Sequence, residues 1–483
     1  MADNSTLVLF GARGNLSRIK LLPGLFHLDE SGMLSDEMKI VSVGRQSVSQ
    51  EEWENEIKDM LNKKFGKNYD AKVFNRFIKR NIYHATLPDD PDAFKKFSNL
   101  LLNDSKFPKN FAFFLSVRPS DFSKIVDQLA EENLLNEDKN WRRVLIEKPF
   151  GTDLKSAVKL QESISKHLKE TQIYRIDHYL GKSSLQNILW TRFSNKIFEN
   201  IWNNNHIDHI QITNHETLGV GERTQFYDAT GALRDMIQSH LLQMLALTTM
   251  EKPKTLSPDD IRIEKIKLLT SIKSIPIDRI EKYAFRAQYK SGIIEKEGKV
   301  KGYLEELENS ESVVETYAAL KLFIDNPRWK GTPIYLRTAK RLDRSGTFIS
   351  VKFKNDNNEV SDKNNWLVFS IQPKESTYFE IQTKVPSLNE VDLRTTKLEG
   401  ITRLDQDEKI DAYETLMLDL LQGNQSRFLH IDEVKAAWAL VDPIIDLWTK
   451  DKKRIHQYTA GTDDPSASEI IFENKTQFWR KGN

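Results

Sequence analysis

The sequence predicts two domains of different class: an N-terminal α/β domain with a doubly wound parallel sheet, and a larger α+β domain with a mainly antiparallel sheet. Strand-like and helix-like segments alternate through the first third of the chain, as in a parallel sheet covered by helices. From about residue 205, strand-like segments follow one another without intervening helices. The length of 483 residues suits two or three domains, each able to bury its own core.

The N-terminal elements follow from their apolar patterns. Residues 6–10 predict a buried strand, residues 16–28 a helix with apolar positions at helical spacing, and residues 39–43 a second strand. Further along we predict strands at 111–117 and 143–147, and helices at 51–64 and 121–132. This order predicts parallel strands joined by helical crossovers.

The second domain begins after a change of pattern, which places the boundary near residue 177 and gives domains 1–177 and 178–483. Its helices are predicted at 231–250, 409–421 and 432–448. Its strands are predicted at 209–213, 282–289, 316–323, 334–337, 347–353, 366–371 and 378–383.

Composition excludes several classes of function. Lys plus Arg number 71 and Asp plus Glu 70, so no net positive field favours nucleic acid or anionic membranes. The absence of cysteine excludes disulfides, thiolate nucleophiles and cysteine-ligated metals. No stretch approaches the roughly 18 apolar residues of a membrane span, and no basic segment precedes the short apolar run at 7–10. We therefore expect a cytoplasmic protein with no nucleic-acid or membrane partner.

A glycine-containing turn joins the first predicted strand to the first predicted helix. Glycine lets the backbone approach a pyrophosphate there, while the helix N-terminus offers free amides and a positive dipole end. The spacing lacks the closer glycine pair of the usual dinucleotide fingerprint, so a plain strand-to-helix turn is the alternative. The turn comprises Gly11, Ala12, Arg13, Gly14, Asn15 and Leu16.

The second predicted strand ends just before Gly44, Arg45 and Gln46. In a dinucleotide-binding fold this strand end lies beside the adenosine ribose, where an Arg suits a 2′-phosphate and an acidic residue suits a bare hydroxyl. The alternative is that Arg45 is an ordinary solvated surface residue.

Two short motifs contain most of the side chains that could bind a ligand or transfer a proton. Lys148 follows the last clear parallel strand, at the carboxyl edge where open α/β sheets bind ligands. In YRIDHYLGK, residues 174–182, Asp177 and His178 point to opposite sides if the chain is extended. Tyr179 and Lys182 add donors suited to a phosphoryl group. The alternative is a polar linker between domains.

The apolar helix predicted at 231–250 contains Asp235 and His240. At about 100° per residue they lie about 140° apart, so α-helical geometry does not place them on one face. The alternative for His240 is a hydrogen-bonded core residue. His206, His209 and His215 occur without cysteines or a tight carboxylate motif, so we predict surface or packing residues and no metal site.

Together these segments resemble the glucose-6-phosphate dehydrogenase family. They fall in the family's order and cover roughly residues 6 to 450. The matching pieces are GARGNLSRIKLLP (11–23), EKPFGTDL (147–154), RIDHYLGK (175–182), FYDATGALRDMIQSHLLQ (226–243), YLRTAKRL (335–342) and DAYETLMLDLLQGN (411–424).

The resemblance implies a Rossmann-type coenzyme domain and a homodimer. It implies oxidation of glucose 6-phosphate at C1 to 6-phosphogluconolactone with hydride transfer to a nicotinamide, the first step of the oxidative pentose phosphate pathway. It assigns His240 as general base and Asp177 as its orienting partner. It assigns the phosphate grip to His178, Tyr179 and Lys182.

The resemblance also implies further contacts. Lys20 and Lys148 would touch the substrate near the coenzyme, Glu216 and Asp235 would accept from sugar hydroxyls, and Lys340 would reach in from the sheet domain. The coenzyme would be NADP, with NAD left open. Its contacts would come from Gly11, Arg13, Gly14, Asn15, Leu16, Arg45, Gln46 and Lys148.

Five positions depart from the family's pattern. Arg13 replaces the usual Ser or Thr, Asn15 an Asp, Ser239 an Asn, Ala339 a Gly, and Ser345 a basic residue. Arg13 beside Arg45 favours NADP by strengthening a 2′-phosphate site or stacking on adenine. Ser345 puts a second basic substrate contact in doubt.

Two rival functions stay open at this point. One is a related nicotinamide-dependent oxidoreductase acting on another sugar or sugar phosphate, against which the cationic Lys182 argues because a neutral sugar has nothing to neutralise it. The other is an inert nucleotide-binding sensor. Asp177, His178 and His240 argue against a sensor, which needs no proton acceptor.

Overall fold

The chain forms two compact units in the computed structural model, which describes residues 3–66, 69–86, 90–295, 297–355, 364–386, 392–401, 410–451 and 455–482. The first unit comprises Met1–Lys182, Lys254–Arg262 and Lys409–Lys435. The second comprises Ser183–Pro253, Ile263–Glu408 and Ala436–Asn483. The boundary at residue 177 stays a prediction.

The first unit contains the predicted doubly wound parallel sheet, which is confirmed. The described strands are parallel except Phe428–Leu429, which runs antiparallel to its neighbour. The strand Thr6–Phe10 lies between Phe111–Leu115 and Lys39–Gly44, and the strands that follow it in sequence are added first on one side of it and then on the other. In spatial order the strands are Phe428–Leu429, Ile173–Ile176, Arg142–Ile146, Phe111–Leu115, Thr6–Phe10, Lys39–Gly44 and Asn81–Ala85.

Five α-helices of the first unit follow a Ser or Asp whose side chain accepts a hydrogen bond from an amide of the first turn. In Gln50–Phe65, the Ser49 hydroxyl accepts from the Glu52 amide at 3.2 Å and the Glu52 carboxylate accepts from the Ser49 amide at 2.8 Å. The α-helices are Leu22–Glu30, Gln50–Phe65, Ala71–Arg80, Pro91–Asn103, Pro119–Glu131, Leu154–Ile164 and Ala412–Gln422, with 3₁₀ turns at Glu170–Gln172 and His178–Gly181.

The first helix differs from the single α-helix predicted at 16–28. Residues Ser17–Leu21 are π-helical, and the α-helix Leu22–Glu30 follows. Pro23 has no amide hydrogen and cannot continue the regular ladder, and the Leu22 amide bonds the Ser17 carbonyl five residues back. The proline therefore accounts for the wider turn.

The second unit contains the predicted, mainly antiparallel sheet, which is also confirmed. Two pairs are parallel: Ile334–Ala339 with Ile207–His215, and His456–Thr459 with Ala284–Lys290. Among the described residues the spatial order is Leu393–Ile401, Ser376–Lys384, Trp366–Gln372, Gly346–Phe353, Ile207–His215, Ile334–Ala339, Tyr317–Leu322, Ala284–Lys290 and His456–Thr459, and a separate hairpin pairs Gly292–Ile294 with Gly298–Val300.

Most helices of the second unit precede the strand Ala284–Lys290 in sequence. The α-helices are Ser183–Ser194, Lys196–Ile201, Thr224–Asp228, Leu242–Thr249 and Tyr303–Leu307, with 3₁₀ turns at Gly221–Arg223, Ile277–Lys282 and Ser466–Ile471 and a π-helix at Leu233–Leu241. Pro258–Thr270 and Ile431–Lys450 contain residues of both units. Within the described part of the chain, no helix combines the length and apolarity needed to cross a bilayer.

Candidate active site

The turn after Thr6–Phe10 requires glycine at its first position. Gly11 has a φ of +78°, and a Cβ there would lie 2.1 Å from the Ser116 carbonyl oxygen. Ser116 follows Phe111–Leu115, the strand on the other side of the point where the strand order reverses. In open α/β sheets this point is where ligands bind.

The same turn has room for a pyrophosphate. Apart from its chain neighbours, a Cβ built on Gly14 would have one heavy atom of the described residues within 4 Å, the Gly11 carbonyl oxygen at 3.1 Å. Asn15 is exposed and begins the helical turn. Because the backbone is open to solvent at a helix N-terminus, the residues present fit a dinucleotide coenzyme.

Arg45, which follows Lys39–Gly44, and Arg13, in the turn after Thr6–Phe10, have different environments. Arg45 is exposed, and no ion pair engages it within the described residues. Arg13 is paired instead: its Nη2 lies 2.8 Å from Glu56 Oε1, and its Nη1 donates to Gln46 Oε1. Arg13 and Arg45 were both expected to be available cations, but Arg13 has an acidic partner.

The candidate site residues of segment 177–182 lie in or next to one short turn, His178–Gly181. Asp177 is extended at the end of Ile173–Ile176, but His178 already belongs to the turn His178–Gly181, so the assumption of two extended residues is wrong. Asp177 Oδ1 accepts from the Tyr179 amide at 2.9 Å, and Asp177 is only 1% exposed. Lys182 Nζ lies 3.8 Å from the Tyr179 ring centroid. The Asp177 carboxylate therefore fixes the conformation of the turn.

The N-terminus of Ala412–Gln422 completes this part of the first unit. Gly181 allows close approach, since a Cβ there would lie 2.5 Å from the Ala412 carbonyl oxygen. The Tyr413 ring stacks on His178 with centroids 6.2 Å apart and planes 5° apart. Lys20 Nζ lies 2.5 Å from Asp411 Oδ2, and Asp411 Oδ1 accepts from the Tyr413 amide at 3.0 Å.

Sequence reasoning missed Asp411 and Tyr413 as site residues. The available signal was local: an Asp immediately before a helical pattern is a typical N-cap, and the motif DAY was already part of the matching piece at 411–424. Nothing local indicates that this helix approaches residues more than 200 positions earlier.

Glu147 is a buried carboxyl group beside Tyr413. Burial raises the pKa of Glu147 to about 7, against the lowering effects of the Tyr413 hydroxyl and the charge of Lys148. Burial and this carboxyl group together raise the pKa of Tyr413. Glu147 Oε1 is buried and has no hydrogen-bond partner within the described residues. Both groups are therefore protonated more readily than in water.

This environment makes stability depend on pH. Because the folded state binds the Glu147 proton more tightly than the unfolded state, the free energy of unfolding falls as pH rises from the ordinary carboxyl pKa of 4.5 to about 7. The side chain in Glu147→Gln cannot ionise. Between pH 4.5 and pH 8, the free energy of unfolding of this variant should therefore rise by about 1–3 kcal/mol relative to that of the parent. Urea unfolding at both pH values measures this, with the exposed Glu51→Gln as control. An equal difference at both pH values would contradict it.

In the second unit, Glu216 and Lys340 lie at the same edge of the sheet. They follow Ile207–His215 and Ile334–Ala339, which are parallel neighbours with His215 opposite Ala339. The Lys340 ammonium forms an ion pair with the Glu216 carboxylate and lies 5.5 Å from the Tyr227 ring centroid. A carboxylate acceptor and an ammonium donor thus stand side by side.

Asp235 and His240 lie on the π-helix Leu233–Leu241, which corrects the α-helical estimate of 140° between them. In a π-helix the backbone hydrogen bonds join residues five apart, so positions 235 and 240 lie one turn above each other. His240 is 1% exposed and Asp235 is half-buried. Ser239, at a departure from the family pattern, donates to the Asp235 carbonyl at 2.7 Å.

The departure at Ser345 also has a local structure. The Ser345 hydroxyl accepts from the Thr217 amide at 2.8 Å. The adjacent Arg344 donates to both oxygens of Asp343, at 2.9 and 2.7 Å. The neighbouring cation is therefore paired with its own sequence neighbour.

The chain is similar to known proteins over its whole length. One family model, described as the NAD binding domain of glucose-6-phosphate dehydrogenase, matches residues 8–187, and another, described as the C-terminal domain of the same enzyme, matches residues 189–480. Proteins named glucose-6-phosphate 1-dehydrogenase from Chlamydia pneumoniae and Rhizobium meliloti are 40% and 38% identical. Each covers 98% of this chain, and the matches span 95% and 96% of those proteins.

A solved structure agrees with the sequence relatives. It is described as glucose-6-phosphate dehydrogenase in complex with its substrate glucose-6-phosphate. It superposes with a TM-score of 0.89 at 32% identity, covering 99% of each chain.

Proposed function

The chain belongs to the glucose-6-phosphate dehydrogenase family, and we propose that it oxidises glucose 6-phosphate at C1 to 6-phosphogluconolactone with hydride transfer to NADP. Members of this family are NAD(P)-dependent dehydrogenases. The observation that carries the proposal is the similarity over nearly the full length to proteins named glucose-6-phosphate 1-dehydrogenase, together with the presence in this chain of residue types that the reaction requires, at Asp177, His178, Lys182, Glu216 and His240.

In this proposal His240 removes the proton of the C1 hydroxyl and Asp177 orients the imidazole. A neutral imidazole can accept a proton at one nitrogen only if the other keeps its hydrogen, and a carboxylate partner fixes that tautomer. The near-complete burial of both side chains supports these roles, since a water-exposed base would not be held in one orientation.

The phosphate of the substrate is assigned to His178, Tyr179 and Lys182. Asp177 accepts from the Tyr179 amide, and the Lys182 ammonium lies over the Tyr179 ring. These contacts hold the donors in one turn, which supports a preorganised phosphate-binding site. The sugar hydroxyls are assigned to Glu216 and Asp235 as acceptors. Lys20, Lys148 and Lys340 are assigned as further substrate contacts.

The coenzyme supplies the hydride acceptor when it is bound. Gly11, Gly14, Asn15 and Leu16 would hold its pyrophosphate at the helix N-terminus, and Lys148 would lie near its reactive end. Arg13 and Gln46 would lie beside the adenosine ribose. Arg45 would hold the 2′-phosphate of NADP, which the exposure of this side chain supports.

Substrate preference tests the proposed reaction. We expect kcat/KM for glucose 6-phosphate to exceed that for glucose by about 10³-fold or more, because removing the phosphate leaves the cations of the grip unneutralised. The measurement is steady-state nicotinamide reduction with each sugar. A preference for glucose would contradict the assignment of these residues to the substrate phosphate. It would favour the alternative hypothesis of an oxidoreductase that acts on unphosphorylated sugars.

Arg45 tests the assignment of the coenzyme. Arg45→Ala should weaken NADP binding by about 10- to 100-fold and NAD binding by less than about twofold, because only NADP carries a 2′-phosphate. Dissociation constants for both coenzymes, measured by calorimetry, provide the comparison. Equal losses would mean that Arg45 does not contact the 2′-phosphate.

We also propose a cytoplasmic homodimer. Among the described residues the strand Leu393–Ile401 is paired on one side only, and Leu398 and Ile401 are each 54% exposed, which supports a partner at this edge. The proposed coenzyme is an intracellular metabolite, which supports the location. Sedimentation equilibrium should give twice the chain mass; a single chain mass at micromolar concentration would contradict the dimer.

A further inference from the structure

An acidic residue stands against an arginine beside the proposed 2′-phosphate site. We infer that Glu56 is a specificity-determining residue that reduces the preference for NADP over NAD by occupying Arg13. The inference rests on the proposed function, because it concerns the coenzyme of that reaction.

The position of Glu56 is fixed by its helix. Gln50–Phe65 begins shortly after the end of Lys39–Gly44, and the paired hydrogen bonds of Ser49 and Glu52 set its first turn. Glu56 lies in the second turn of this helix. Its side chain therefore comes from a rigid element and not from a loop.

Glu56 holds Arg13 by a two-point ion pair. Arg13 Nη2 lies 2.8 Å from Glu56 Oε1, and Arg13 Nε lies 3.2 Å from Glu56 Oε2. Both side chains are partly exposed, at 31% and 23%. A bidentate pair fixes the guanidinium plane as well as its charge.

Gln46 provides the third acceptor for Arg13. Its side-chain oxygen accepts from Arg13 Nη1, and its backbone carbonyl accepts from the Tyr83 hydroxyl at 2.7 Å. Gly44 leaves space for that hydroxyl, since a Cβ there would lie 2.2 Å from it. Arg13 is thus held by side chains on two sides, whereas Arg45 has no ion pair within the described residues.

The negative charge of Glu56 affects the binding of the two coenzymes differently. A 2′-phosphate must compete with Glu56 for the Arg13 guanidinium, and this competition outweighs the direct repulsion by the partly exposed carboxylate, which solvent and salt screen. The bare 2′-hydroxyl of NAD carries no charge and can instead donate to a carboxylate. Glu56 therefore weakens NADP binding and leaves NAD binding unchanged or slightly improved.

Removing the carboxylate charge tests this inference. In Glu56→Gln we expect the dissociation constant for NADP to fall about three- to tenfold and that for NAD to change less than about twofold. Glu54→Gln, two positions earlier on the same helix and bonded to Gln50, removes an equal charge without touching Arg13. It should change neither constant appreciably. In an Arg13→Ala background, Glu56→Gln should lose most of its effect on NADP.

The constants are measured by calorimetry without sugar phosphate, so they do not depend on turnover. Weaker NADP binding in Glu56→Gln would overturn the inference, because Glu56 would then position Arg13 for the 2′-phosphate. Equal changes for both coenzymes, or an unchanged effect in Arg13→Ala, would also overturn it. If the expected coenzyme effect appears but glucose 6-phosphate is not oxidised, the proposed substrate fails and the inference stands.

Discussion

His240→Asn is expected to lower kcat with glucose 6-phosphate by about 10³- to 10⁴-fold, because the C1 hydroxyl then loses its proton acceptor. Asparagine is close to the imidazole in size and can still form hydrogen bonds, but it cannot take up a proton near neutral pH. The NADP dissociation constant should stay within about twofold of the parent value. Steady-state kinetics and coenzyme calorimetry on the same preparation measure both quantities.

A variant of a second buried histidine, His209, is the control that distinguishes the loss of a general base from the loss of a buried imidazole ring. His209 is also fully buried in the second unit, where its Nδ1 lies 2.7 Å from Asp208. His209→Asn should lower the unfolding temperature with little change in kcat. If His240→Asn keeps more than about a tenth of the parent kcat, His240 is not the general base.

Asp177→Asn is expected to lower kcat by about 10²- to 10⁴-fold, because a neutral amide neither fixes the required imidazole tautomer nor stabilises the imidazolium. The asparagine oxygen can still accept from the Tyr179 amide, so the turn His178–Gly181 should keep its cap. The unfolding temperature should therefore change little, and KM for glucose 6-phosphate should change less than kcat.

Asp177→Ala provides the matched comparison, since it removes both the charge and the cap. It should lower kcat at least as far as Asp177→Asn and cost a further ~1 kcal/mol of stability. The double variant Asp177→Asn with His240→Asn should be no slower than His240→Asn alone, because the carboxylate acts through the base. Fully additive losses would show that the two residues work independently.

The sheets could be predicted from the sequence because their strands are buried. Phe111–Leu115 is apolar along its whole length and Thr6–Phe10 is apolar after Thr6, which is typical of parallel strands covered on both faces. Leu393–Ile401 was missed because it is an edge strand with most of its residues exposed, so its sequence, LRTTKLEGI, shows no alternation. Phe428–Leu429 is too short to give a pattern.

Helix geometry was less predictable than helix position. The helix at 231–250 was expected, but hydrogen bonding between residues five apart over Leu233–Leu241 was not. Apolar periodicity does not separate π from α geometry over two turns. That difference decides whether Asp235 and His240 share a face of the helix, and the sequence alone does not settle it.

Within the site, the groups that one local motif identifies lie close together in sequence, whereas the ion pairs join distant residues. Asp177, His178 and Lys182 are recognisable as one motif. The ion pair of Lys20 with Asp411 joins residues 391 positions apart, and that of Arg13 with Glu56 joins residues 43 apart. Charge pairs between distant segments depend on tertiary packing, which composition and periodicity do not specify.

The central claim is that the chain transfers hydride from C1 of glucose 6-phosphate to the nicotinamide. Glucose 6-phosphate carrying deuterium at C1 tests it most directly, with NADP as acceptor and the products followed by mass spectrometry and NMR. We predict one deuterium at C4 of the reduced nicotinamide and none at C1 of the lactone or its hydrolysis product. Reduced coenzyme without deuterium, or no reduction at all, would contradict the account.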